Sequence, residues 1–234
     1  MKIFLICLLC GFFAQMVDGT LGMAYGVSCS SLLRTLGIPS AMSSFCVHAA
    51  EIFTTLFSGI SHFTMKNFDK KLFLSLILPG VIGGVTGAYI LTNVNDSVIS
   101  PVISIYLIIM GAVICRKAFS KKERPAKKIG KGVYPLAFIG GFSDSLGGGG
   151  WGPVVTSTLV ASDCDIRKTI GSVNAAEFFV TLAESITFFF TIGSLGGALA
   201  SPIAAYLCHK LPLKPLMVFV GLLIIAVNLV KLFC

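Results

Sequence analysis

Apolar residues run along this chain in blocks, separated by short polar punctuation. The blocks cover roughly residues 3–17, 24–36, 43–63, 72–91 and 98–115, then 133–146, 153–161, 169–192, 195–207 and 215–233. A helix needs about 20 apolar residues to cross a bilayer, so the pattern predicts an all-α polytopic membrane protein of about eight to ten helical segments. Four blocks are short: the first two, and the two that follow residue 132. Each short pair is joined by flexible backbone, Asp18-Gly19-Thr20-Leu21-Gly22 in one case and Gly147-Gly148-Gly149-Gly150-Trp151-Gly152 in the other. These read as two broken or re-entrant helix pairs, and irregular backbone at membrane depth is tolerated only against protein or a water-filled cavity.

The two halves of the pattern are related. Gly11-Phe12 matches Gly141-Phe142 and Gly22 matches Gly152, both at an offset of 130. After a four-residue gap, Ala49-Ala50-Glu51-Ile52-Phe53 matches Ala175-Ala176-Glu177-Phe178-Phe179 at an offset of 126. The chain then divides into a first transmembrane repeat (1–115), a basic linker (116–132) and a second repeat (133–234). Five segments per half is an odd number, so the second half enters the membrane upside down, giving two inverted-topology repeats. The N-terminal block has the look of a signal peptide, but its counterpart inside the chain makes it part of the fold, to be retained.

Charge orients this arrangement. Only 12% of residues are charged, and the mean hydropathy is +0.92. Eight of the eighteen cations lie between Arg116 and Lys131. With alternating loops, fifteen cations fall on one side, including Lys66, Lys70, Lys71, Arg167, Lys168, Lys210 and Lys214. Three fall on the other: Lys2, Arg34 and Lys231. The basic side is cytoplasmic by the positive-inside rule, so both termini of this multi-pass cell-membrane protein are expected outside the cytoplasm. The net charge of +8 is therefore a topology signal rather than a nucleic-acid footprint. The eight cysteines sit mostly in apolar runs and read as packing residues.

Ionisable groups inside the membrane are costly and mark function by default. Here they are Asp18, Glu51, Asp144, Glu177 and Glu184. Ser44, His48, Glu51, Thr55, Ser58 and His62 follow one another by three or four residues and share one helical face. Asn174, Glu177, Thr181 and Glu184 form the equivalent stripe. A membrane-buried Glu alternates between a neutral form and an ionised form that needs a partner, which suits Glu51 and Glu177 to proton coupling. His48, one turn before Glu51, favours Glu51 of the two. Thr55, Ser58 and Thr181 read as interhelical hydrogen-bonding groups, and His62 as interfacial.

No Lys or Arg occupies the centre of any segment. An anion would have to be held by backbone amides at the joints, where Gly149 and Gly150 let the chain approach it, and by Gln15, Thr20, Ser143, Ser145 or Trp151. Asp18, Asp144, His48 and Asn174 flank the same region. No Walker loop, HExxH or GxSxG is present, so neither enzyme activity nor a cofactor is expected, and no metal is required.

Gly140-Gly141-Phe142 leading into Gly147–Gly152-Pro153-Val154, and Val173-Asn174-Ala175-Ala176-Glu177, resemble the sulfite exporter TauE/SafE family of membrane permeases. The first-half equivalents, together with Lys66-Asn67-Phe68-Asp69 and Pro79-Gly80 through Gly87-Ala88, extend the resemblance over nearly the whole chain. The resemblance implies a transporter for sulfite, sulfonates or similar anions, with protons and the lipid bilayer as its other partners. An assembly of identical subunits is compatible with it. Asp18 departs from the family's glycine run and keeps a second reading open. That reading is a cation or metal permease using Asp18, His48, Glu51, Asp144 and Glu177.

Overall fold

The computed structural model describes residues 14–16, 18–19, 22–118, 130–161 and 165–192. Thr20, the segments at 195–207 and 215–233, and most of the first segment and of the basic linker lie outside the described residues. Regular structure among the described residues is helical throughout. The helices are α1 (Tyr25–Thr35), α2 (Ser40–Thr64), α3 (Lys70–Asn93), α4 (Asp96–Ala118), α5 (Val133–Gly147), α6 (Ser157–Ala161) and α7 (Ile166–Thr191). A wider π-type turn, Gly152–Thr156, runs straight into α6, so residues 151–161 form one helical stretch. Among the described residues, three helices are long and apolar enough to cross a membrane: α3, α4 as far as Ile114, and α7. The 25-residue α2 is as long, but its stripe of Ser, His, Glu and Thr makes it less apolar.

Aspartates start two of the long helices. The Asp69 carboxylate accepts from the amides of Lys71 and Leu72, and Asp165 does the same for Arg167 and Lys168. Each satisfies donors that a helix N-terminus leaves open.

Glycine then sets how closely the helices pack. A Cβ added to Gly83 or Gly87 of α3 would strike the carbonyls of Phe138 or Phe142 on α5, and one on Gly141 would strike the Gly80 carbonyl. The backbones of α3 and α5 are therefore in direct contact, the small-residue packing expected where lipid offers no hydrophobic drive between helices. Beside this seam, Leu72, Leu76, Val133, Ala137, Trp151, Leu159, Val173, Ala176 and Val180 form one buried cluster. Gly141→Leu should force the seam apart, at a cost of about 3 kcal/mol or more. Loss of the monodisperse detergent-solubilised protein would register it, and an unchanged elution profile and melting temperature would refute the seam.

The contacts also fix direction. Along α2 and α7, Phe45 meets Phe188, His48 meets Glu184, Ser58 meets Asn174, and Gly171 lies against His62 and Asn67. Partners run in opposite order, so α2 and α7 are antiparallel. In the second short pair, Val155 packs on Gly140, and Val133 and Leu159 share the cluster of Leu72. The second pair thus folds back on itself as a helical hairpin. At 15 residues α5 reaches only about 22 Å, short of the ~30 Å apolar core of a bilayer.

Candidate functional site

The tip of this hairpin is made by glycine. Gly148 ends α5 with φ 65° and Gly149 follows with φ 155°, a region open to glycine and rarely to other residues. The chain reverses, and the Asp144 side chain reaches forward over the gap. Its Oδ1 accepts from the amides of Gly150 (2.5 Å) and Trp151 (2.9 Å). The first joint has the same construction. Gly22 has φ 66°, its amide donates to the Asp18 carbonyl at 2.6 Å, and the Tyr25 amide donates to Asp18 Oδ1 at 3.3 Å.

The two joints cross in contact. A Cβ on Gly149 would meet the Val27 amide, one on Gly26 would meet Gly149, and one on Gly152 would meet Gly22 and Met23. Ser30 Oγ donates to the Gly147 carbonyl at 2.6 Å and Ser44 Oγ to the Ser145 carbonyl at 2.5 Å, tying α1 and α2 to the opposite tip.

At the crossing lies a cavity of about 10 Å³, lined by Asp18, Glu51, Asp144 and Glu177 together with Ala24, Gly26, Val27, Gly149, Gly150, Gly152 and Pro153. That is room for about one water molecule. The four acidic residues are between 1% and 7% exposed. Beside them sits His48, fully buried, its ring stacked on Phe188 at 6.0 Å. His48 Nδ1 is 2.8 Å from Glu51 Oε2, 3.2 Å from Glu184 Oε2 and 4.0 Å from Asp144 Oδ2. Gly84 leaves the space that the Glu184 carboxyl fills. One imidazole thus faces three buried carboxyls, with Asp18 and Glu177 close by on the cavity wall. So many charges cannot be held in a low-dielectric interior without added positive charge, which protons or a cation would supply.

The geometry sorts the residues picked out in the sequence. Asp18, Glu51, Asp144, Glu177, Gly149 and Gly150 line the cavity, and His48 adjoins it. Asn174 is outside the lining, against Gly22 of the first joint, with its Nδ2 on Ser58 Oγ at 2.8 Å and its Oδ1 without a partner. Trp151 contributes only its amide, because its indole is in the core and donates to the Val173 carbonyl at 3.2 Å. Ser145 bonds back to the Gly141 and Phe142 carbonyls, and Ser143 is half-buried outside the cavity lining. Gln15 lines a separate cavity with Gly19, Thr54, Ser58 and His62. Glu184, read from the sequence as one of the five membrane-buried acidic groups but given no particular role, joins the acidic group through His48. Its place on the polar stripe of α7, one turn past Thr181, was the available signal.

Apolar helices packed around a buried, acid-lined crossing of two glycine joints suit the passage of a solute through a membrane. Residues 7–231 match the family model described as Sulfite exporter TauE/SafE. The chain belongs to that family: it is a multi-pass membrane transporter and not an enzyme. It is 37% identical over 248 residues to "Probable membrane transporter protein YtnM" of Bacillus subtilis (strain 168), an alignment covering 97% of this chain and 82% of that one. No solved structure matches it.

Proposed function

We propose that this protein is a proton-linked secondary transporter for small sulfur-containing or organic anions, sulfite or a sulfonate among them. It works by alternating access at the crossing of its two glycine joints. The observation that carries the reading is the crossing itself: two helix N-termini aimed at one buried cavity, ringed by groups that can exchange protons. The amides attract the anion, and proton uptake by the carboxyls offsets its charge.

An inverted duplication supports alternating access. With one uniform offset of 126, Asp18 pairs with Asp144, Gly22 with Gly148, Tyr25 with Trp151, Gly26 with Gly152 and Glu51 with Glu177. In this register Gly22 corresponds to Gly148, whose φ it shares, rather than to Gly152, and no gap is needed. Contacts come in related pairs. His48 with Glu184 is the image of Asn174 with Ser58, and Gly26 with Gly149 is the image of Gly152 with Met23. The antiparallel run of α2 and α7 fits repeats of opposite topology, at 1–115 and 133–234 about the linker 116–132. Lys66, Lys70, Lys71, Arg167 and Lys168 would face the cytoplasm, and both termini the other side.

A second reading is favoured by one observation: ligand atoms of His48, Glu51 and Asp144 lie within 4.8 Å of one another, close enough to share a metal ion. Uptake into proteoliposomes separates the two. Sulfite, thiosulfate, sulfate, taurine and sulfoacetate should be compared with and without a pH gradient. The anion reading expects at least one to accumulate with the gradient. Transport of a divalent cation with no anion moved would replace it. Within the anion reading, Glu51→Gln should bind solute but lose its response to the gradient. Full pH-driven uptake by both Glu51→Gln and Glu177→Gln would return these groups to interhelical hydrogen bonding.

A further inference from the structure

We propose that the pocket between the end of α1 and the start of α4 is a second anion site, where Arg34 holds a small oxyanion, sulfite or the sulfonate head of an organic acid, apart from the crossing. The inference rests on the anion-transport reading above and adds a docking step to it.

The sequence puts Arg34 in the last turn of α1, and α4 begins nearby with Asp96. Between them lies a pocket of about 570 Å³, a size usual for small-molecule sites, whose wall includes Ser31, Arg34, Thr35, Asp96, Ser100 and Ser104. Arg34 is the one cation on that wall. Half of its guanidinium is anchored. Nη2 donates to the Ser100 carbonyl at 2.8 Å, to Ser100 Oγ at 2.7 Å and to Ser104 Oγ at 3.1 Å. The other half is free, because Nη1 is buried and has no hydrogen-bond partner. A charged donor shielded from water and left unpaired is costly. A planar guanidinium fixed on one side presents its remaining N–H groups in a set direction, which suits an oxyanion. Asp96 is turned to another task, since its Oδ1 accepts from the Ser40 amide at 2.8 Å at the start of α2.

The pocket shares its walls with the crossing. Ser30, one turn before Arg34, donates to the Gly147 carbonyl at the tip of the second joint. Tyr106, next along α4 from the Ser104 wall, lies against Gly147 and donates to the Gly149 carbonyl at 3.4 Å. Along α1, the step from the tip contact to Arg34 is about 6 Å. Lys66, Lys70, Lys71, Arg167 and Lys168 mark the opposite end of the bundle, where α2 ends and α3 and α7 begin. By the charge rule the pocket therefore opens away from the cytoplasm. An anion there takes the free Nη1, with the Ser31 and Thr35 hydroxyls on the same wall to complete its shell. Arg34 thus does more than report topology: it gives the solute a cationic stop one turn from the joints.

The test is sulfoacetate and sulfite binding to the purified full-length protein. Gly149→Val, in which the crossing should be closed to solute, should still bind anion. Adding Arg34→Gln should weaken that binding at least about tenfold. Asp96→Asn keeps an oxygen for the Ser40 amide and removes a negative charge from the wall. It should tighten binding about threefold at low salt, with the gain shrinking as salt screens it. A merely structural tie between α1 and α4 predicts no such gain. Anion bound by the wild type but not by Gly149→Val, or Arg34→Gln binding as tightly as its parent, overturns the inference and leaves anion transport standing. Should either of those variants fail to fold, Asp96→Asn in the wild-type background decides, and no gain at low salt overturns the inference. Phosphatidylglycerol retained by the wild type, lost from Arg34→Gln and not displaced by sulfoacetate would give the pocket to a lipid headgroup and overturn it as well. A wild type that binds neither anion overturns this inference together with the anion reading.

Discussion

Gly149→Val should give a protein that inserts into the membrane at wild-type level and moves no solute. Two costs coincide at this position. The backbone has φ 155°, where a β-branched residue carries about 1–3 kcal/mol of strain. The added Cβ would also lie against the Val27 amide and Gly26 across the crossing, where backbone cannot yield as a side chain would. Overpacking of this kind adds about 1–3 kcal/mol, and the relief available is for the two joints to separate. Insertion depends on α3, α4 and α7, whose apolar length is unchanged. Gly150→Val should behave similarly, because its Cβ would meet Tyr106 and the Asp144 amide. The control is Gly111→Val on α4, where nothing lies within 4 Å, and uptake should stay at wild-type level. Accumulation of labelled solute, normalised to membrane-inserted protein, checks all three. Normal uptake by Gly149→Val would mean that the crossing is not on the transport path.

How far the sequence could be read follows from which forces set each feature. Block length and polarity are local, so α2, α3, α4 and α7 were legible from hydropathy alone. The stripe on α2 was legible too, since a spacing of three and four residues places Ser44, His48, Glu51 and Thr55 on one face whatever they meet. What they meet was not legible. His48 was paired with Glu51 and placed beside the joints, and its reach to Glu184, on a helix more than a hundred residues away, was not foreseen. Glycine misled in one respect. In so glycine-rich a chain, Gly22 can be matched to several partners, and the sequence match chose Gly152, whereas Gly148 is the glycine that shares its φ. The discriminating feature is Asp18, whose carboxylate caps the next helix as Asp144 does. That role depends on side-chain direction. Trp151 shows the same limit: position put it at the joint, but the space left by Gly80 and Gly140 draws its ring into the core.

His48→Asn should be the most damaging single change in the acidic group, and Glu184→Ser should largely repair its stability. His48 gives Glu184 an ion-pair neighbour at 3.2 Å, and Glu184 is fully buried. A shorter Asn leaves that carboxyl without its partner, at a cost of about 3–5 kcal/mol. The protein already contains the remedy. At the equivalent point of the α2–α7 contact, Asn174 donates to Ser58 Oγ at 2.8 Å, an Asn–Ser pair in place of a His–Glu pair. The double variant His48→Asn, Glu184→Ser would build that neutral pair at both points, so its melting temperature should return most of the way to wild type. Transport should not follow, because the only imidazole beside Glu51 and Asp144 among the described residues is gone. Solute uptake should become insensitive to a pH gradient or cease. Thermal unfolding of the purified single and double variants, with uptake measured alongside, separates stability from coupling. A double variant no more stable than His48→Asn alone would refute the pairing of these two contacts, and with it the strongest support for a two-fold relation between the halves. Gradient-driven uptake persisting in the double variant would remove His48 from the proton path.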